Sequence, residues 1–210
     1  MVVEDKIHNK KEIYHYEDGL KAFIETVDSN RDKITQPIMI KGENNGIAIS
    51  SAMQFNADYQ ENMYSFVNLV RTGDGGTHEM GFRSGLTKAI NEYARSNCLL
   101  KDKDKNFEGS DVREGLSTVL SVSIPENLLQ FEGQTKGKLG TPEARLAVDG
   151  LVYEQLSYYL NENREIAETL VSKMIKASQA REAARKAREE ARKGKKSAKN
   201  EKIRLNGFSG

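Results

Sequence analysis

Two periodicities run along the chain and divide it into elements. Glu12, Ile13, Tyr14, His15 and Tyr16 mix β-formers with polar residues and predict a first strand, ended by Glu17-Asp18-Gly19. Leu20, Phe23, Ile24 and Val27 then recur at helical spacing. After a polar connection come three strand candidates, Pro37–Lys41, Gly46–Phe55 and Met63–Val70. In the second, Ile47, Ile49 and Ser51 alternate with Ala48, Ser50 and Ala52. Asn44-Asn45-Gly46 predicts a hairpin turn, because Asn and Gly tolerate positive φ.

Beyond Thr72-Gly73-Asp74-Gly75-Gly76-Thr77-His78, a stripe of Phe82, Leu86, Ala89, Ile90 and Tyr93 predicts a helix over 79–97. Lys101 to Gly109 reads as a charged loop, and Ser110 as the cap of a short helix ending near Leu116. Thr118 to Ile124 alternates as a strand stopped by Pro125. After the loop from Phe131 to Gly140, Thr141-Pro142 opens a long helix whose apolar face includes Ala144, Val148, Leu151, Val152, Leu156 and Leu160. A break at Asn161–Asn163 separates it from a last helix over 164–194, whose apolar stripe fades beyond Ala180. Residues 195–210 have no usable period and read as a linker. Strands and helices mixed in this order, with adjacent hairpin strands, predict an α/β two-layer sandwich (α+β) with helices on one face.

Composition narrows the function classes. The 210 residues are 37% hydrophobic and 30% charged, enough apolar material for a core. No uncharged apolar stretch approaches the roughly 20 residues of a membrane span, and the first residues carry no secretory pattern. With Cys98 the only cysteine, a cytosolic setting is expected. The net charge of +1 hides an asymmetry: residues 178–210 hold 11 Lys/Arg against 4 Asp/Glu, so the basic end suits either a nucleic-acid partner or a solvated helix face.

Chemistry is sparser. Gly133-Gln134-Thr135-Lys136-Gly137-Lys138-Leu139 fails as a phosphate-binding P-loop, since the glycines are too close and Leu139 stands where a Mg²⁺-binding hydroxyl belongs. Its place between a strand and a helix start is nonetheless one where phosphates bind. His78-Glu79 begins like a zinc-protease helix, but Phe82 replaces the second histidine. His8, His15 and Cys98 have no partners at ligand spacing, so no metal site is expected.

Three segments add a resemblance. Val70-Arg71-Thr72-Gly73-Asp74-Gly75-Gly76-Thr77-His78-Glu79-Met80-Gly81-Phe82-Arg83, Asp111-Val112-Arg113-Glu114-Gly115-Leu116, and Phe131-Glu132-Gly133-Gln134-Thr135-Lys136 resemble, in order and spacing, the ATP-hydrolysing B subunit of bacterial type IIA DNA topoisomerases. The likeness continues through Ala180–Arg188. It points to the transducer domain, and the form of the first segment is more similar to topoisomerase IV than to gyrase. The resemblance implies a fold like ribosomal protein S5 domain 2 with a left-handed βαβ crossover. Residues 1–163 would be the transducer domain, 164–194 a connecting helix, and 195–210 a linker toward a Toprim domain outside this sequence. It implies ATP and Mg²⁺ held mainly by a preceding domain, with Lys136 catalytic and, beside Gln134, reaching the ATP γ-phosphate. It also implies Arg83 facing captured DNA, a homodimer of B subunits, a DNA cleavage-religation partner (the A subunit) in an A2B2 heterotetramer, and a cytoplasmic, nucleoid-associated setting. Lys138 is expected to be simply solvated rather than to assist Lys136 electrostatically, the helix from Arg181 to Lys196 to pass near DNA, and this chain alone to hydrolyse no ATP. The alternatives are an S5-like nucleic-acid-binding module without nucleotide chemistry, or a small phosphotransferase, for which no qualifying glycine loop exists.

Overall fold

The computed structural model describes residues 2–5, 10–13 and 16–206, with side chains from 19 to 193. A hairpin of β1 (Val2–Asp5) and β2 (Lys10–Ile13) precedes α1 (Tyr16–Val27). Of the first predicted strand, Glu12 and Ile13 belong to β2 and Tyr16 already belongs to α1, while Tyr14 and His15 lie outside the described residues.

A five-stranded sheet follows from β3 (Ile38–Asn44), β4 (Ile47–Phe55), β5 (Asn62–Val67), β6 (Val70–Arg71) and β7 (Leu116–Ser123). Asn45 and Gly46, at φ 53° and 75°, turn β3 into β4 as the sequence predicts. The strand predicted over 63–70 is split, because Asn68 and Leu69 take positive φ and fold β6 back on β5. In space the order is β3-β4-β7-β5-β6. β7, the last of the five in the chain, inserts antiparallel to β4 and parallel to β5. The parallel pair needs a crossover, supplied by α2 (Thr77–Ser96) and the short α3 (Gly109–Val112).

Alternation assigns the two faces of the sheet. Ile47, Ile49, Met53 and Phe55 of β4 join Leu116, Leu120 and Val122 of β7 in the main core, beneath α2, α4 (Pro142–Glu162) and α5 (Arg164–Asn206). Ala52 and Val119 point the other way and bury Ile24 of α1. The expectation of helices on one face is thus corrected. α1 covers part of the second face, because its apolar residues meet the small side chains that alternation turns outward.

α2 and α4 pack unusually close. A Cβ on Gly81 or Gly85 would collide with the carbonyl oxygen of Arg145 or Asp149, so only glycine lets the backbones meet here. Ser84 and Lys88 clamp the same pair through Asp149, at 2.8 and 2.9 Å.

Two further boundaries differ from expectation. α3 is capped by Glu108 rather than Ser110: Asp111 accepts the Glu108 backbone N–H at 2.9 Å, a reciprocal capping box. α5 runs on to Asn206, so residues 195–206 are helix rather than linker. Their four lysines, with Ala198, Glu201, Arg204 and Leu205, favour helix without needing an apolar period. Among the described residues no helix is long and apolar enough to cross a membrane.

Candidate functional site

The glycine run before α2 makes a seat for a hairpin. Gly75 and Gly76 have φ of 74° and 142°, and a Cβ on Gly76 would strike the Leu139 backbone. That contact is a parallel bridge: Gly76 pairs with Leu139, whose N–H donates to the Gly75 carbonyl at 3.0 Å, while the Asp74 N–H donates to Gly137 O at 2.9 Å. Leu139 belongs to a two-stranded ribbon of β8 (Phe131–Glu132) and β9 (Lys138–Leu139). The ribbon is fixed at its base through Gly137 and Leu139, and residues 133–136 at its tip are exposed.

Gln134 and Lys136 are both exposed on that tip. Gly133 (φ 78°) and Lys136 itself (φ 53°) take the left-handed backbone that makes the turn. Among the described residues Lys136 has no ion-pair partner, and its Nζ lies 6.0 Å from the Phe131 ring centroid. Lys138 behaves differently. It pairs with Glu132 at 2.7 Å, which corrects the expectation of a merely solvated lysine and leaves Lys136 as the tip's unpaired cation.

Behind the glycines lies a buried polar chain. Ser65 Oγ is 2.6 Å from Glu79 Oε1 and 2.7 Å from Thr72 Oγ1, and Thr72 Oγ1 is 2.9 Å from His78 Nε2. The ionised carboxylate only accepts, so Ser65 donates to it, Thr72 donates to Ser65, and His78 donates to Thr72 from Nε2. Nδ1 is left as a buried acceptor with no partner. Protonating it would create a buried orphan donor. Burial, assisted by the charge of Arg83, accordingly lowers the His78 pKa to about 4. Sequence reading weighed His78 only as a metal ligand and missed this structural role. Its signal was the hydroxyl of Thr72 six residues upstream.

Arg83 is half-buried on α2. Its Nε donates to Glu61 Oε1 at 2.8 Å and its Nη1 pairs with Glu79 at 3.1 Å. The other Glu61 oxygen accepts from Arg113 Nε at 2.9 Å. Arg83 and Arg113, with Lys88, Asn91 and Asp149, line an open groove of about 840 Å³. The structure thus brings Gln134 and Lys136 together, and puts Arg83 in a separate cluster with Glu61 and Arg113, neither of which sequence reading singled out.

The last helix is fastened to the same region. Arg181 grips Asp111 through Nε and Nη2, at 2.8 and 3.1 Å, and Glu108 through Nη1 at 2.8 Å. This first cation of the basic run is therefore engaged within the chain, not held out toward a partner. Lys173 donates to the backbone carbonyls of Asn56, Asp58 and Glu114 at 2.6, 2.9 and 2.8 Å, and burial lowers its pKa.

Residues 19–190 match the family model described as DNA gyrase B. The chain belongs to the DNA gyrase B family. Among relatives in this family, the B subunit of DNA topoisomerase 4 from Bacillus subtilis is 58% identical over 182 residues, 87% of this chain and 28% of that protein. Its namesake from Enterococcus faecalis is 57% identical over 82% of this chain and 25% of its own length. The chain thus spans about a quarter of these curated relatives. The 43K ATPase domain of Thermus thermophilus gyrase B, solved with an aminocoumarin, superposes with a TM-score of 0.77 at 38% identity. That match covers 90% of this chain and 50% of the other.

Proposed function

We propose that this family member is the transducer segment of the B subunit of a type II DNA topoisomerase of the topoisomerase IV branch. In this reading its sheet and crossover form an S5-like fold with a left-handed βαβ turn. The observation that carries the proposal is the ribbon tip: an exposed lysine with no ion-pair partner among the described residues, on a turn stitched by backbone bonds to Asp74 and Gly75, just before α2. An ammonium presented this way suits the terminal phosphate of ATP. Charge gathers on the phosphoryl oxygens during transfer, and a prepositioned cation stabilises it. Lys136 is the catalytic lysine in this reading, with Gln134 beside it as a second polar contact.

Hydrolysis removes the phosphate Lys136 would hold, so ATP and ADP would differ in how firmly they tie the ribbon to the nucleotide-bearing domain. Through Gly76 and Leu139 that difference reaches α2, and through the crossover it reaches α5, the arm toward the DNA-cleaving part. Among the described residues no group of His, Cys, Asp and Glu could hold a metal ion. The proposal therefore assigns Mg²⁺ and the rest of the ATP pocket to a preceding ATPase segment. It includes a homodimer of B subunits, the DNA-cleaving A subunit as partner in an A2B2 heterotetramer, nucleoid DNA as substrate, and Arg83 as a cation facing that DNA.

Steady-state ATP hydrolysis by the full-length protein, parent against Lys136→Ala, tests the reading. The expected loss is about 10²–10³-fold or more with nucleotide binding retained, as for a contact made in the transition state. An unchanged rate would overturn it.

A further inference from the structure

Two arginines that line the groove, Arg83 and Arg113, share one carboxylate, Glu61, as they would share a phosphate. We infer that Glu61 is an internal stand-in for a DNA backbone phosphate, that Arg113 is a second DNA-contacting residue, and that a phosphodiester entering the groove displaces Glu61 from both arginines. The inference rests on the reading of Arg83 as DNA-facing and extends it to two residues that reading does not include.

Three observations carry it. First, one carboxylate spans two guanidinium groups, Oε1 to Arg83 Nε at 2.8 Å and Oε2 to Arg113 Nε at 2.9 Å. Arginine recognises carboxylates and phosphates with the same planar fork, so two Nε–H donors that share one carboxylate can share the two free oxygens of a phosphodiester. Both arginines line the groove.

Second, the partners are unequally fixed. Glu79, the other carboxylate on Arg83, is held by Ser65 at 2.6 Å and is 12% exposed. Arg83 stands on the packed α2, and Arg113 closes α3. Glu61 is 25% exposed, follows four exposed residues (57–60), and has only the two arginines as partners among the bonds described. Of the two carboxylates, Glu61 is the one that can swing into water without losing a contact outside the arginine pair.

Third, the charges balance. Two guanidinium groups face two carboxylates, so the cluster is neutral. Exchanging Glu61 for one backbone phosphate preserves neutrality and leaves no charge uncompensated. The released carboxylate regains its hydration, and the duplex sheds counterions. In this form the groove is masked: it offers DNA a site only in exchange for Glu61.

Binding of a fluorescent duplex to this chain, followed by anisotropy across a salt series, tests the inference. Glu61→Gln frees two arginines from their shared counter-ion and is expected to tighten binding about five- to tenfold at low salt. Arg113→Ala and Arg83→Ala are each expected to weaken binding, and because the two share one phosphate the double variant is expected to lower the log–log salt slope by about one. Arg83→Ala weakening the complex while Glu61→Gln and Arg113→Ala leave it unchanged would overturn this inference alone. No effect of Arg83→Ala would remove the DNA reading, and the inference with it. Displacement of the duplex by millimolar inorganic phosphate at constant ionic strength would assign the arginine pair to a free anion and overturn the DNA assignment. Should Glu61→Gln fail to fold, Glu61→Asp, too short to bridge both arginines, is expected to tighten binding by a smaller factor.

Discussion

The buried imidazole of His78 makes stability depend on pH in a calculable way. Its pKa is about 4 in the folded chain against 6.5 for a free histidine. The folded state therefore binds fewer protons than the unfolded one between those values. Stability rises with pH across that window and is lost as the pH falls through it. At pH 5 the unfolded histidine is almost wholly protonated and the folded one mostly neutral, which costs about 2 kcal/mol relative to pH 8. For a chain of this size that is a fall of about 4–8 °C in melting temperature. Other groups contribute to the pH dependence, so the comparison must be a double difference. His78→Gln keeps an amide N–H for Thr72 but cannot take up a proton. It should cost about 1–2 kcal/mol at pH 8 through poorer packing and bonding. Between pH 5 and 8 its stability should then vary less than the parent's by the same 2 kcal/mol or so. Urea unfolding at the two pH values measures all four quantities. Equal pH slopes for parent and variant would refute the assignment of a neutral, buried His78. So would an NMR titration of its ring with a midpoint near 6.5.

Other consequences are as direct. Gly81→Ala and Gly85→Ala force a methyl into a neighbouring carbonyl of α4 and should each lower unfolding free energy by about 1–3 kcal/mol, measured by denaturant titration. Gly76→Ala puts a Cβ against the Leu139 backbone and should detach the ribbon, seen as faster amide exchange at Leu139 and Asp74 with the sheet still protected. Lys173→Met leaves three carbonyls without their shared donor and should cost about 1–2 kcal/mol, with earlier proteolytic cleavage at the exposed residues 57–60. Arg181→Ala should loosen α5 from Asp111 and Glu108, read as a drop in protection of α5 amides near residue 181 and not of those near Leu170.

Periodicity alone located β3, β4 and β7, the α2 stripe and the apolar face of α4, because each buries one side and period reports which side; it ran β5 and β6 together across the turn at Asn68 and Leu69. The Asn45-Gly46 turn and the Pro142 helix start were legible for a local reason, since each depends on what one or two residues can do with their own φ. The motif residues Gln134, Lys136 and Arg83 could be named from the chain, but not their surroundings. No period encodes that β7 inserts between β4 and β5, that α1 covers part of the second face, or that Leu139 lies on Gly76 across 63 residues of chain. The same holds for charges. Arg83 and Lys136 read alike in a sequence, yet one is bound to Glu61 and Glu79 and the other has no ion-pair partner among the described residues. Propensity and turn chemistry are properties of neighbours along the chain. Which cation meets which carboxylate is decided by elements far apart in sequence and brought together by the burial of the core.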